Sequence, residues 1–354
     1  MAKQMMKGNE AIAEAAVQAG CRYFFGYPIT PQNEIPEYMS ARLPEVGGVF
    51  LQAESEVSAI NMVYGAAGTG ARVMTSSSSP GISLKQEGIS YIVGAQLPCV
   101  IVNIVRGGPG LGSIQPAQSD YFQATRGGGH GDYRMVVFAP ASVQEAMELT
   151  QRAFDVADQY RNPVMVLGDG IIGQMMEPVE MPEYKGRALP EKTWSATGWT
   201  AGSSRERAVI NSLYIKADEC EAHNLLLAAK AAEMEKNEGM VEEKFMDDAE
   251  YAVVAYGTTA RIAMDAIRRL RGEGVKVGMI RPVTVWPFPS ETVARAAGKV
   301  KRMLTVEMSS GQMVEDVRLA ANGKCPVDFY GRTGGIIPGA REIIAQIERM
   351  KEGS

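Results

Sequence analysis

CVIVNIVRGGPG, residues 99–110, places the chain among the α/β proteins. Its first seven residues are apolar except Asn103, a pattern typical of a strand in a parallel sheet that helices cover on both faces. Glycines and a proline then end the strand. Arg106 is the first residue after it, so we expect its guanidinium at the carboxyl edge of the sheet, where open α/β sheets bind ligands. A guanidinium in that position suits a carboxylate.

Strands and helices alternate on both sides of this stretch. The predicted strands lie at residues 23–26, 49–52, 71–75, 135–138 and 164–167. The predicted helices lie at 9–19 and 56–68, and a third, opened by a capping box at Ser142 and Glu145, runs to residue 160. This alternation predicts a parallel sheet with helices on both faces.

The alternation lapses between residues 177 and 249 and then resumes. Prolines and a Gly/Ser-rich segment indicate connecting chain, and residues 218–236 have the Ala, Glu and Lys content of an exposed helix. Beyond them, strands predicted at 251–255, 276–280, 303–306 and 327–330 alternate with helices at 260–271, 311–321 and 340–350. The sequence therefore predicts an α/β domain at 1–185, a linker with a surface helix at 186–248 and a second α/β domain at 249–354.

Composition argues against several classes of protein. The 354 residues carry a formal net charge of −5 and no basic stripe, which argues against nucleic-acid binding. No apolar run reaches the ~18 residues that a membrane span needs. The first eight residues have no apolar stretch of a signal peptide, so we expect a cytoplasmic protein. The four cysteines are far apart and only two histidines are present, so no metal site is expected within this chain.

Two further strand ends carry side chains suited to chemistry. Thr30 stands in Tyr-Pro-Ile-Thr-Pro, residues 27–31, where two prolines restrict the backbone. Glu54-Ser55-Glu56 follows the next strand and opens the next helix, where the helix dipole favours a carboxylate. Because the carboxyl ends of parallel strands meet at one edge, we expect Thr30, an acidic residue and Arg106 to lie together.

Two polar segments are less specific. Thr75 and the serines 76–79 form a run of hydroxyls at another predicted strand end. His130 stands in Gly-Gly-His-Gly-Asp, residues 128–132, and suits either a turn or proton transfer near neutral pH.

Together these motifs resemble the α-type subunit of 2-oxoacid:ferredoxin oxidoreductases, and most of all the type for 3-methyl-2-oxobutanoate (2-oxoisovalerate). The resemblance rests on Tyr-Pro-Ile-Thr-Pro paired with the downstream Arg-Gly-Gly-Pro, and it covers nearly the whole chain. It implies a thiamine diphosphate pyrimidine-binding domain at 1–185 and a transketolase C-terminal-like α/β domain at 249–354.

The resemblance also implies roles for single residues. Thr30 and Arg106 match residues that bind the carboxylate or ketone of the 2-oxoacid. Glu56 matches the glutamate that hydrogen-bonds the aminopyrimidine ring of the cofactor, and it is preferred to Glu54 because the small-residue helix after it lines up with the family helix. The residues expected beside the same cofactor are Pro28, Ile29, Ser77, Ser78 and Ser79.

The implied reaction converts a 2-oxoacid and coenzyme A to acyl-CoA and CO₂, with electrons passing to ferredoxin. Gly168-Asp169-Gly170 looks like the start of the motif that holds Mg²⁺ and the diphosphate, but the later asparagine is missing, since none lies between Asn162 and Asn211. Closely spaced cysteines for iron–sulfur clusters are also missing. The partners that the resemblance implies are a diphosphate-binding subunit, a gamma-type subunit and a ferredoxin-like iron–sulfur subunit.

Three alternatives stay open. A 2-oxoglutarate:ferredoxin oxidoreductase α subunit shares Tyr-Pro-Ile-Thr-Pro and needs a second cation for the distal carboxylate, for which Arg126 or Arg134 is available. A transketolase-like or dehydrogenase component that does not use ferredoxin would share the fold. A non-catalytic scaffold subunit would tolerate the loss of Glu56 and Arg106.

Overall fold

The computed structural model describes residues 3–181 and 183–352, in two α/β units. The first elements in chain order are β1 (Gln4–Lys7), α1 (Gly8–Gln18), β2 (Tyr23–Gly26), α2 (Glu34–Glu45), β3 (Val49–Gln52), α3 (Glu56–Gly68), β4 (Val73–Ser77), α4 (Ser79–Gly94), β5 (Cys99–Val105), α5 (Tyr121–Thr125), β6 (Val136–Phe138), α6 (Val143–Tyr160), β7 (Pro163–Asp169), α7 (Gly170–Gln174) and β8 (Met176–Val179). The others are α8 (Ala217–Glu238), β9 (Val241–Lys244), β10 (Tyr251–Val254), α9 (Gly257–Gly272), β11 (Val277–Pro282), β12 (Thr284–Trp286), α10 (Ser290–Ala297), β13 (Arg302–Glu307), α11 (Met313–Ala321), β14 (Val327–Gly331) and α12 (Ala340–Glu352). The predicted α/β class is confirmed.

The first sheet has seven strands in the order β12-β6-β7-β5-β4-β2-β3. All its pairings are parallel except β12 with β6. Side chains alternate across β5: Val100 and Val102 pack with α1, α2 and α6, whereas Ile101 and Val105 pack with α3 and α4. Both faces of this central strand are therefore buried, as its apolar run predicts.

The second sheet has five strands in the order β14-β13-β10-β11-β9, and β9 is its one antiparallel member. The two sheets are interlocked, because β12 leaves the second unit after β11 and pairs with β6 of the first, with Thr284 opposite Phe138. The buried cluster on the α3/α4 face also continues into the second unit through Ile280 and Met313. A three-residue strand carries too short a pattern to be read from the sequence.

The segment between the units packs against the first one. Residues 218–236, the predicted surface helix, lie within α8, and the last residue of α8, Glu238, is buried and receives hydrogen bonds from Arg152 and Arg187. β9 already belongs to the second sheet, although it precedes residue 249. The residue boundaries of the domains stay a prediction, and residues 1, 2, 182, 353 and 354 within them lie outside the described part.

The serine-rich segment differs from its prediction in the bounds of the strand. The strand predicted at 71–75 is β4, which spans Val73–Ser77, and Ser79 is the first residue of α4. The hydroxyls are buried at the junction of β4 and α4, and because these residues are polar, the end of the strand lacks the apolar pattern from which a strand is predicted.

Among the described residues, no helix combines the length and apolar character that crossing a membrane requires.

Gln118 connects the two units. Its side-chain Nε2 donates to the Tyr256 carbonyl at 2.9 Å, and its Oε1 accepts from the Met308 amide at 3.0 Å and the Thr259 hydroxyl at 3.2 Å. The side chain is 3% exposed. Buried backbone groups that lose their partners destabilise a protein, because water cannot replace the lost bonds.

Replacing Gln118 with alanine is therefore expected to lower the free energy of unfolding of the full chain by about 2 kcal/mol or more. Urea titration followed by circular dichroism measures the change. The matched control is Gln115→Ala, because Gln115 is exposed, and it should stay within about 0.5 kcal/mol of the parent chain. Equal effects of the two substitutions would contradict the assigned role of Gln118.

Candidate functional site

Arg106 is a buried cation at the carboxyl end of β5, with 7% of its surface exposed. Its Nη1 donates to the Thr30 carbonyl at 3.0 Å and its Nη2 to the Leu111 carbonyl at 3.2 Å. Its Nε is buried without a hydrogen-bond partner among the described residues, and none of their carboxylates forms an ion pair with it. A buried guanidinium in this state can accept an anion as its partner.

Thr30 lies beside Arg106 at the exposed end of the loop after β2. The contact is made by its carbonyl oxygen, and its hydroxyl is left available to a ligand. The loop is held from beneath, because the Ser76 hydroxyl on β4 donates to the side chain of Gln32, which is fully buried. In the same loop, Pro28 is exposed and Ile29 is partly buried.

Glu56 is the first residue of α3 and is 6% exposed, whereas Glu54 is exposed. Ser55 caps this helix by accepting a hydrogen bond from the Ser58 amide at 3.2 Å. The Glu56 carboxylate receives no hydrogen bond from a described residue. It lies against α4 at Gly81, where an added methyl group would stand 2.6 Å from Oε1 and would collide with the Ser77 hydroxyl. Glycine is required there by this close approach.

The three predicted serines differ in their availability. The hydroxyls of Ser77 and Ser78 are buried and have no hydrogen-bond partner in the described part of the chain. The Ser79 hydroxyl is already engaged, since it accepts from the Arg106 amide at 3.1 Å and donates to the Arg106 carbonyl at 3.2 Å. Ser79 therefore holds the end of β5 against the start of α4, and Ser77 and Ser78 are the hydroxyls left without a partner among the described residues.

Asp120, which the sequence analysis did not single out, lies behind Arg106. Asn103 connects it to the site: its Nδ2 donates to Asp120 Oδ2 at 2.9 Å, and its Oδ1 accepts from the Ser79 amide at 3.2 Å. Burial raises the pKa of Asp120, against the opposing hydrogen bonds from Asn103 and Ser79. Asn103 was the available signal, because a lone amide within an apolar strand needs a buried partner.

His130 lies in an exposed loop, and its carbonyl accepts a hydrogen bond from the Ser90 hydroxyl at 2.6 Å. Its ring packs edge-on to Tyr91 with 5.7 Å between centroids. No described hydrogen bond joins it to Thr30, Glu56 or Arg106. Its role in proton transfer stays a prediction.

Asp169, in Gly168-Asp169-Gly170, is held by hydrogen bonds within the protein. Its Oδ1 accepts from the amides of Ile171 and Ile172, which caps α7, and from the Thr258 hydroxyl at 2.9 Å. Burial raises its pKa, and these hydrogen bonds oppose the rise. In the described ranges, no group of three or more His, Cys, Asp or Glu side chains is arranged to hold a metal ion.

Contacts therefore connect the strand ends in series: Glu56 lies against Ser77 and Gly81, Ser79 binds the backbone of Arg106, and Arg106 binds Thr30. Beside Thr30 is a cavity of about 640 Å³ whose aliphatic walls include Ile114, Ile171 and Ile337. This edge of the sheet can bind a carboxylate beside an apolar group.

Two family models match the chain. Residues 14–240 match the pyruvate flavodoxin/ferredoxin oxidoreductase, thiamine diphosphate-binding model, and residues 249–343 match the pyruvate:ferredoxin oxidoreductase core domain II model. Ketoisovalerate oxidoreductase subunit VorB of Methanothermobacter thermautotrophicus is 49% identical over 99% of this chain and 98% of its own length. The 2-oxoglutarate synthase subunit KorA of the same organism is 38% identical over 98% of both chains.

Solved structures agree with these matches. A 2-oxoglutarate:ferredoxin oxidoreductase from Magnetococcus marinus, with 2-oxoglutarate, coenzyme A and succinyl-CoA bound, superposes with a TM-score of 0.87 at 25% identity. The match covers 98% of this chain and 65% of that longer chain. A split-gene transketolase, described as an inactive β4 tetramer, shares the fold at a TM-score of 0.61 and 15% identity over 97% of both chains. The chain belongs to the 2-oxoacid:ferredoxin oxidoreductase family, as one of its subunits.

Proposed function

We propose that this chain supplies the pyrimidine-binding and substrate-binding part of a thiamine-diphosphate-dependent oxidoreductase that converts a branched-chain 2-oxoacid to acyl-CoA and CO₂. The observation that carries the proposal is the buried Arg106 guanidinium, which has two carbonyl partners and no acidic one among the described residues. A 2-oxoacid carboxylate supplies the missing anion through charge-assisted hydrogen bonds. The Thr30 hydroxyl is the neighbouring donor.

The residues at the start of α3 and α4 fit the aminopyrimidine ring of thiamine diphosphate. The ring presents nitrogen donors and acceptors, and the site offers the Glu56 carboxylate and the partnerless hydroxyls of Ser77 and Ser78. Gly81 keeps α4 close enough to bury the carboxylate. When bound, thiamine diphosphate supplies the carbon nucleophile and the electron sink for decarboxylation.

The protein contributes three functions to that chemistry. Glu56 exchanges a proton with a ring nitrogen from a site that excludes water, where such transfers are effective. Arg106 and Thr30 orient the substrate carboxylate so that its carbonyl carbon meets the cofactor in a fixed direction. Ser79, Asn103 and Asp120 hold Arg106 in place through its backbone.

The aliphatic cavity beside Thr30 supports a branched-chain substrate. Glu34 is the charged residue among those that line it, and it is acidic, so the walls offer no cation to pair with a second carboxylate. Arg126, a candidate for that role, forms an ion pair with Asp316 at 2.9 Å. Arg134 is exposed and donates to the Tyr133 carbonyl. The similarity to the ketoisovalerate subunit supports the same preference.

Exposed apolar side chains around Glu56 support docking of a partner subunit. Val57 is 44% exposed on α3, Leu84 is 54% exposed on α4 and Leu51 is 41% exposed on the edge strand β3. Apolar groups clustered around a site indicate a surface that another protein covers. We place the diphosphate and Mg²⁺ on the subunit that docks here, and the gamma-type and ferredoxin-like iron–sulfur subunits elsewhere in the complex.

A cytoplasmic location suits the free cysteines, of which Cys21, Cys99 and Cys325 are buried.

The test is purification of the complex through a tag on this chain. We expect a brown preparation that contains thiamine diphosphate and an iron–sulfur subunit, and that reduces ferredoxin when given a 2-oxoacid and coenzyme A. A preparation without iron–sulfur protein that still turns over a 2-oxoacid would instead support the dehydrogenase alternative.

Substrate preference tests the aliphatic cavity. We expect kcat/KM for 3-methyl-2-oxobutanoate to exceed that for 2-oxoglutarate by about 100-fold or more, because an unpaired carboxylate in an apolar site is strongly unfavourable. Arg126→Gln should leave the ratio of the two kcat/KM values unchanged, since Arg126 is paired with Asp316. A selective loss of 2-oxoglutarate turnover in this variant would instead assign the distal carboxylate to Arg126.

A further inference from the structure

Lys85 is a cation buried beneath the candidate cofactor site. Its exposure is 0%, and its Nζ donates to the Thr75 hydroxyl on β4 at 3.1 Å. None of the described carboxylates forms an ion pair or a hydrogen bond with it. A buried ammonium with one neutral partner is strongly unfavourable, so its position in the apolar stripe of α4 requires a reason beyond packing.

The Glu56 carboxylate contacts α4 at Gly81, one helical turn before Lys85. Gly81 and Lys85 are four residues apart on α4 and so share a helix face, and Gly81 is where the Glu56 carboxylate contacts that helix. In the described part of the chain, Glu56 is the charged group whose field acts on Lys85. Lys85 and Glu56 are therefore two buried groups of opposite charge at the same face of α4, and neither has an ionic partner at contact distance among the described residues.

Burial lowers the pKa of Lys85 to about 8, and the field of Glu56 opposes that change. Three titratable groups on α4 and the segments packed against it have partners elsewhere. Glu87 is exposed and accepts from Tyr91, Asp120 accepts from Asn103, and the Tyr133 hydroxyl donates to Gln86. Electrostatic coupling is reciprocal, so a protonated Lys85 also favours the ionised form of Glu56.

We propose that Lys85 is a positioning residue for the catalytic carboxylate, and that its ammonium, anchored on Thr75, stabilises the ionised form of Glu56. The inference rests on the proposed function, because it requires Glu56 to face the cofactor ring. With this cation behind it, the Glu56 carboxylate stays ionised opposite a protonated ring nitrogen, since its charge is compensated.

The first test needs neither cofactor nor turnover. The full chain is labelled with carboxyl-¹³C glutamate, the Glu56 signal is assigned by its loss in Glu56→Gln, and its titration is followed by NMR. Lys85→Met should raise the pKa of Glu56. The matched control is Lys230→Met, because burial also lowers the pKa of Lys230, to about 7, while its charged neighbour is Arg161. An unchanged Glu56 titration in Lys85→Met overturns the inference.

The second test uses the assembled complex. Lys85→Met should lower kcat by about 10-fold or more, with a KM for the 2-oxoacid within about 2-fold of the parent value. The acid limb of the pH–kcat profile should move to higher pH, and Lys85→Arg should recover part of the loss because it keeps the charge. In the Glu56→Gln background, Lys85→Met should have no further effect.

The outcomes separate this inference from the proposed function. Full turnover in Glu56→Gln rejects the proposed function, whatever Lys85 does. Loss of turnover in Glu56→Gln, with neither a shifted titration nor a lower kcat in Lys85→Met, rejects only the role of Lys85. If Lys85→Met fails to fold, Thr75→Val carries the test, since it removes the anchor and should change both readouts in the same direction. Unaltered readouts in that variant also reject the inference.

Discussion

Replacing Glu56 with glutamine is expected to lower kcat of the assembled complex by about 1,000-fold, with little change in the affinity for thiamine diphosphate. The substitution keeps the shape of the side chain and its ability to hydrogen-bond, and it removes the proton that the carboxyl group exchanges. Glu56 is buried, and no described residue donates a hydrogen bond to its carboxylate, so no neighbour can take over this role. Steady-state turnover and a cofactor binding titration measure the two quantities.

Glu54→Gln is the matched control for this prediction. Glu54 lies two residues earlier and is exposed, so its substitution should leave kcat within about 2-fold of the parent value. A loss confined to Glu54→Gln would show that the wrong member of the acidic pair was chosen. Turnover retained in both variants would support a scaffold subunit that has lost its chemistry.

Replacing Arg106 with alanine is expected to lower kcat/KM for the 2-oxoacid by about 1,000-fold or more, which corresponds to about 4 kcal/mol. The reason is that the guanidinium is the buried cation beside Thr30 and has no acidic partner among the described residues. Most of the loss should appear as a higher KM for the 2-oxoacid, while the KM for coenzyme A changes little. Initial rates at varied concentrations of each substrate distinguish the two.

Two comparison variants make the Arg106 result interpretable. Arg106→Lys keeps the charge but loses the planar guanidinium, whose paired N–H groups match a carboxylate, so it should recover only a small part of the activity. Arg134→Ala removes an exposed arginine and should be close to the parent protein. If Arg106→Ala raises the KM for coenzyme A and the KM for the 2-oxoacid alike, or leaves both unchanged, Arg106 does not bind the substrate carboxylate.

A structural role of Arg106 is also present, and it bears on these variants. Arg106 binds the Thr30 and Leu111 carbonyls, so its removal releases two loop segments at the same edge of the sheet. The hydrogen bonds between its backbone and Ser79 remain in every variant, because they do not involve the side chain. β5 and α4 should therefore stay together, and a loss of activity without unfolding is the expected pattern.

The sequence alone determined the class of fold and the edge of the sheet that carries the polar residues. The reason is local: a run of seven residues that is apolar except for Asn103, and is followed by Arg106, indicates a covered strand that ends at a polar edge. The choice of Glu56 over Glu54 came from the family resemblance, through the small-residue helix that follows Glu56, and it stays a prediction; Glu56 is buried and Glu54 is exposed. These features depend on neighbours along the chain.

Only the tertiary structure decided which groups meet across the chain. β12 joins the first sheet from the second unit, Gln118 connects the two, and the Thr30 carbonyl rather than its hydroxyl holds Arg106. The burial of Lys85 near Glu56 was likewise decided by the tertiary structure, because the helical pattern around a lysine does not indicate which charged residue will lie near it. Such pairings depend on distances set by packing between segments far apart in sequence, and hydrophobic periodicity along one segment carries no information about them.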